Sequence, residues 1–206
     1  SGMKRVIAYY GLGPLTPNTI VCGGFSQDEQ MTSYLEIIKQ AHEQGRNVVV
    51  INDEPQKQSH ARLSPNKIEG EIHVWWDNSS PRNTELMLTL AYMLRKKTLW
   101  GQTNICLLGI VGNEQMRKKK IDEFMQYCNF SDEFIELIKR NRLKINTKVL
   151  VSPDASSNDL ALVEQFSSKA TMIFLSLRSP LLNESMQDYA EYFRTLPHKS
   201  AAFPPV

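Results

Sequence analysis

Apolar residues recur along this chain with two spacings, one helical and one extended. In residues 28–44 the apolar positions Met31, Tyr34, Leu35, Ile37, Ile38 and Ala41 repeat three and four apart. That spacing predicts a helix with one buried face, and Gly45 is a suitable stop. TIVCGG (19–24) and NVVVIN (47–52) flank it as short β-branched runs. Both read as strands, the second as a buried one. Residues 19–52 therefore form a β-α-β unit. Ahead of it, MKRVIAYY (3–10) is either a strand or the last two turns of an incoming helix. Gly11, Gly13, Pro14 and Pro17 then impose a loop.

A second series begins at residue 68. In IEGEIHVWW (68–76), Ile72, Val74 and Trp76 share one face of a strand, and His73 and Trp75 the other. Residues 83–97 form a helix whose Leu86, Met87, Leu88, Leu90, Ala91, Met93 and Leu94 cover most of its circumference. Such a helix is expected to be covered on more than one side. It ends in Arg95-Lys96-Lys97, which suits the negative end of the helix dipole. NICLLGIV (104–111) is the most apolar strand and is predicted to be central. Helices at 114–128 and 131–142 follow, the latter capped by Ser131. KVLVS (148–152) is a strand, 157–168 a helix, MIFLSL (172–177) a strand and 184–195 a final helix.

This order predicts an α/β fold, Rossmann-like or universal-stress-protein-like. Its sheet is mainly parallel with helices on both faces, because right-handed crossovers put them there. NVVVIN, NICLLGIV and MIFLSL are expected inside that sheet. Two arrangements satisfy the pattern. One is a single sheet. The other is two lobes, 11–52 and 68–206, with 1–10 as a linker or helix end and the polar loop 53–67 between them.

Composition narrows the function. The chain has 206 residues, 41% hydrophobic and 22% charged, which is globular and enough for a sizeable core. A net charge of +2 gives no electrostatic footprint for nucleic acid. Cys22, Cys106 and Cys128 form no CxxC or disulfide framework, which fits a reducing compartment. The longest strongly apolar stretch, ICLLGIVG (105–112), is far short of the ~20 residues of a membrane span. The opening Ser-Gly-Met reads as a cleavage scar and the closing Ala-Ala-Phe-Pro-Pro-Val as the approach to a further strand, so a fragment of a longer protein is expected.

Candidate chemistry is sparse. VIAYYGLGPLT imitates a dinucleotide fingerprint, but Thr16 stands at the third glycine and Pro14 and Pro17 block the required helix. Gly23-Gly24 lie between a strand and a helix, where anions bind, yet Asp28 and Glu29 would oppose a phosphate. Gly109 and Gly112 follow the central strand with the G-x-x-G spacing that universal stress proteins use for ATP. Their further Gly-Ser/Thr is missing, since residues 121–124 read Ile-Asp-Glu-Phe. No nucleophile elbow or zincin motif is present. His42, His60, His73 and His198 have no paired spacing, so no metal ligands are assigned. Cys22 at a strand end has no base beside it in sequence and is read as a small hydrophobe. Arg117-Lys118-Lys119-Lys120 reads as a solvated helix face served by Glu114, Asp122 and Glu123, or as a contact for anionic headgroups. No catalytic, cofactor-binding or metal residue is assigned, and no cofactor is expected.

Three segments carry a family resemblance. GLGPLTPNTIVCGGF (11–25) resembles the glycine-rich PNT signature that opens the cytoplasmic C-terminal domain of cation–chloride cotransporters. IHVWW (72–76) and ELMLTLAYMLRKKTLWGQTNICLLGIV (85–111) are similar to that family's I-D-V-W-W strand, apolar helix and following tryptophan, here Trp100. MIFLSLRSPLLNESMQDYAEYFRTLPHKSAAFPPV (172–206) resembles its late strand, R/P-x-P turn and closing helix. The matches come in the family's order over residues 11–206. Two features depart from animal members. Asp77-Asn78-Ser79-Ser80 replaces their acidic, glycine-rich turn, and the loops are short, as in a prokaryotic, amino-acid-permease-like relative. The resemblance implies a non-catalytic regulatory domain on the cytoplasmic side of the cell membrane. It would hang from its own transmembrane transporter domain, dimerise with a second copy and leave ion transport to the membrane part. The alternative is a free-standing nucleotide-binding protein of the universal-stress type.

Overall fold

The computed structural model describes residues 18–23, 28–51, 67–76, 81–130, 145–152, 160–181 and 183–200. They fall into two compact units, one holding residues 18–51 and 177–200, the other residues 67–176. The expected elements at 3–10 and 131–142, and all of the expected loop at 53–67 except Lys67, lie outside the described residues.

In the first unit, β1 (Thr19–Gly23) pairs in parallel with β2 (Asn47–Ile51), and α1 (Asp28–Glu43) connects them. Gly45 closes α1 with a φ of 66°, a left-handed conformation that glycine adopts without a Cβ penalty. The closing helix α5 (Met186–Ser200) belongs here too. Ser185 caps it: the Asp188 N–H donates to Ser185 Oγ at 3.1 Å, and the hydroxyl donates back to the Asp188 carboxylate at 2.7 Å. Met31, Leu35 and Ile38 of α1 bury against Tyr189, Ala190 and Phe193 of α5, with Val48 and Val50 of β2 at the margin. The predicted face of α1 is thus the buried one, and it draws α5 onto itself. The sequence grouped 184–195 with residues 68–206, whereas this packing joins it to β1, β2 and α1.

NVVVIN departs from expectation in two ways. It pairs with β1 rather than joining NICLLGIV, and it is half-exposed rather than buried. Only the face bearing Val48 and Val50 meets the aromatic core, and on the opposite face Val21 stays 62% exposed.

The second unit is a four-stranded sheet of order β5-β4-β3-β6, built from β3 (Glu69–Trp75), β4 (Gln102–Val111), β5 (Ile145–Val151) and β6 (Met172–Phe174). Every pairing among the described residues is parallel. β4 is interior and buried from Ile105 onward, as its unbroken apolar run predicts. α2 (Pro81–Arg95) and α3 (Glu114–Phe130) cover one face. There Ile72, Val74, Trp76, Leu107 and Val149 meet Met87, Leu88, Ala91, Tyr92 and Phe124. α4 (Leu160–Ser167) covers the other, where Trp75, Leu108, Ile110, Leu150 and Ile173 meet Val163. Helices on both faces of a parallel sheet give the α/β class that the sequence predicts.

Two details differ. Among the described residues, MIFLSL contributes only Met172–Phe174, which pair with β3, so β6 stands at the edge of the four described strands rather than inside them. α2 is covered unevenly among the described residues, with Leu86, Leu90 and Leu94 half-buried. Met87, Leu88, Ala91 and Tyr92 are buried, whereas Met93 is 57% exposed.

Candidate functional site

Open α/β sheets bind ligands beyond the carboxyl ends of their strands, where the strand order reverses. The chain runs β3, β4, β5 in one direction and then returns past β3 to β6, so the reversal lies between β3 and β6. Asn83, in the first turn of α2, donates from Nδ2 to Ser176 Oγ across this end at 2.7 Å. Trp76 follows β3, is buried, and packs against Phe124 of α3 with ring centroids 5.0 Å apart. The Lys120 ammonium stands 5.2 Å from the Trp76 ring and 5.8 Å from Phe124, and pairs with Glu123 at 2.6 Å.

Gly109 lies inside β4 rather than after it, which corrects the expected position of the G-x-x-G pair. A Cβ built on it would stand 2.8 Å from Phe124 Cζ. Glycine is required there so that α3 can approach the strand, and the protein's own aromatic ring takes the space.

At the end of β1, the Tyr34 hydroxyl donates to the Gly23 carbonyl at 2.9 Å and braces the strand against α1. The Cys22 thiol is half-buried. Burial pushes its pKa up, and a hydrogen bond with Tyr34 only partly opposes the rise. Reactive cysteines need the opposite shift, so Cys22 fits the small-hydrophobe reading. Gly24 and the side chains of Asp28 and Glu29 lie outside the described residues.

Among the described residues, His73 is the buried histidine. Its Nε2 lies 3.1 Å from Glu71 Oε2 and its Nδ1 2.9 Å from Ser167 Oγ. A carboxylate only accepts, so in the neutral ring Nε2–H donates to Glu71 and Nδ1 accepts from the Ser167 hydroxyl. Ser167 Oγ accepts in turn from Trp75 Nε1–H at 3.0 Å. Carboxylate, imidazole and hydroxyl stand in the order of a proton relay. Ser167 is fully buried and its oxygen already occupied, however, so no substrate reaches it. The network ties the end of α4 to β3. His42 is exposed, its Nδ1 3.4 Å from Ser179 Oγ. His60 and the His198 side chain lie outside the described residues.

Sequence reasoning missed a second cluster, around Arg178. Its guanidinium holds the Glu184 carboxylate through both terminal nitrogens, one at 2.7 Å. It also lies 4.1 Å from the Tyr192 ring and 5.2 Å from Tyr189. The Tyr189 hydroxyl donates to the Arg178 carbonyl at 2.9 Å. Glu184 raises the pKa of Arg178, and the guanidinium holds Glu184 down at about 2. Arg178 opens the R-S-P turn that carries part of the family resemblance, and this contact pins that turn to α5.

Arg117, Lys118 and Lys119 of the basic run on α3 form the solvated face that its spacing predicts, whereas Lys120 turns inward over Trp76 and Phe124 with its side chain only 13% exposed. Arg117 pairs with Glu114 at 3.0 Å and Lys120 with Glu123, while Lys118 and Lys119 are exposed.

No protein-family model and no curated protein matches this chain. A solved structure is similar to it: the crystal structure of the cytoplasmic domain of a prokaryotic cation chloride cotransporter. The TM-score is 0.48 and the identity 16%, with 94% of this chain covered. The chain spans 64% of the length of that one.

Among the described residues, no helix is long and apolar enough to cross a membrane. No group of three or more His, Cys, Asp or Glu that could hold a metal is present among them either.

Proposed function

We propose that this chain is a non-catalytic cytoplasmic regulatory domain of a secondary transporter of the cation–chloride cotransporter type. The observation that carries the reading is the ordered resemblance of residues 11–25, 72–76, 85–111 and 172–206 to that family's domain. Parts of three of these stretches form one packed object. Strand 72–76 pairs with β4 of the 85–111 stretch on one side and with β6 of the 172–206 stretch on the other. The helix of the 85–111 stretch covers the face they share. Ion transport belongs to a membrane part outside these residues. The domain's role is to associate with a second copy and to bias the transport cycle.

Phe124 beside Gly109 weighs against the nucleotide-binding alternative, because a helix aromatic stands where a ligand would need open backbone.

The deciding experiment is to sequence the transcript upstream of Met3. A series of apolar segments of about 20 residues each supports the transporter reading, and a start codon at Met3 overturns it. Sedimentation equilibrium tests the self-association. A weak dimer is expected, since membrane tethering raises effective concentration. A strict monomer at millimolar concentration overturns that role.

A further inference from the structure

We propose that the tip formed by the end of α2 and the following turn is a docking surface for an anionic lipid leaflet. The segment is Met93-Leu94-Arg95-Lys96-Lys97-Thr98-Leu99-Trp100. α2 ends at Arg95 and a single 3-10 turn spans Thr98–Trp100. Apolar and cationic side chains share this tip. Met93 is 57% and Leu99 40% exposed, beside exposed Lys96 and Lys97. The Lys96 ammonium lies 5.4 Å from the Tyr92 ring, so its alkyl stem runs along the helix. The Ile68 N–H donates to the Leu99 carbonyl at 2.7 Å, which brings exposed Lys67 to the same end of the sheet.

Charge complementarity selects the occupant. Arg95, Lys97 and Lys67 have no ion-pair partner among the described residues, unlike Arg117 and Lys120 on α3. Of the nearby carboxylates, Glu71 is turned to the α4 side, where it meets His73, which leaves exposed Glu69 as one carboxylate against the three cations Lys67, Arg95 and Lys97. Glu85 is ten residues up α2, about 15 Å at 1.5 Å per residue, beyond the ~10 Å screening length of ordinary salt. The tip is therefore a concentrated positive charge around protruding Met93 and Leu99, with Trp100 half-buried behind them. An interfacial lipid layer suits both properties, taking apolar side chains just below its headgroups and cations among its phosphates. A solvated polar partner would leave Met93 and Leu99 unburied. The proposal stands on this patch and does not depend on the transporter reading.

The test is co-sedimentation of the 206-residue chain with phosphatidylcholine vesicles, with and without phosphatidylserine. Binding is expected only with phosphatidylserine and is expected to fall in high salt. Lys97→Gln and Lys67→Gln should each weaken it by about fivefold, the equivalent of about 1 kcal/mol per charge. Met93→Ser with Leu99→Ser should abolish most of the remainder. These side chains are exposed, and an unchanged melting temperature verifies the fold. Equal binding to both vesicle types, or variants that bind like the parent, overturns the proposal. So does a Met93→Asp, Leu99→Asp variant that turns a dimer into a monomer in sedimentation velocity, which assigns the patch to a second copy.

Discussion

Phe124 Cζ occupies the space that any side chain at Gly109 would need, 2.8 Å from where its Cβ would lie. Gly109→Ala should therefore force α3 away from β4 or twist the ring out of its rotamer. Overpacking of this kind costs about 1–3 kcal/mol, and urea denaturation should register the loss. Adding Phe124→Leu should recover part of it. A Gly109→Ala protein as stable as the parent would show that the ring yields freely.

The two tryptophans face opposite sides of β3, Trp76 toward α2 and α3 and Trp75 toward α4. Either alanine substitution should cost about 3–5 kcal/mol and sharply lower the melting temperature. Trp75→Phe should be milder, about 1–3 kcal/mol. It keeps the ring but removes the donor to Ser167. Calorimetry of the three variants separates ring packing from the hydrogen bond.

Glu184 supplies a pH dependence with a definite sign. Its pKa lies at about 2 in the folded protein, below its ordinary 4.5, mainly because Arg178 bonds to the charged form. A depressed carboxylate contributes stability above its unfolded pKa and loses it as pH falls through the folded one. Stability should decline between about pH 4.5 and pH 2. Glu184→Gln should flatten its share of that decline. Parallel curves for parent and variant would mean that the pair adds nothing.

Cys106 should resist alkylation. Burial, reinforced by Glu71, pushes its pKa up to about 11, with Lys148 opposing. Iodoacetamide at pH 8 should label it far more slowly in the native protein than in denaturant, as read by peptide mass spectrometry. Rapid native labelling would show that α4 opens readily over this face.

Much of the site region was legible because its signals are local. Alternation in IEGEIHVWW assigned Ile72, Val74 and Trp76 to one face and His73 and Trp75 to the other, and the packing follows that division. The spacing of Arg117 and Lys120 from Glu114 and Glu123 foretold their pairs. Ser167 had no such signal. Its partners are 92 and 94 residues away, and nothing near it in sequence marks a buried hydroxyl. The Arg178 cluster was missed for a different reason. Arg178 and Glu184 are six apart across a turn, outside the three- and four-residue spacings that a helix makes visible.

By itself the sequence determined the elements, their faces and the α/β class, because hydrophobic periodicity is a property of neighbours along the chain. Only the tertiary structure decided which strands share a sheet. NVVVIN and NICLLGIV are both continuous apolar runs, and nothing within either says that, among the described residues, one pairs with β1 while the other lies inside a sheet of four strands. That choice follows from long-range packing. The aromatic face of α5 closes over α1, and a glycine at 109 lets α3 seat on β4. The exposed side of α2 was decided in the same way. Its apolar circumference called for more than one cover; among the described residues the sheet takes Met87, Leu88 and Ala91, Leu86, Leu90 and Leu94 are half-buried, and Met93 is left exposed.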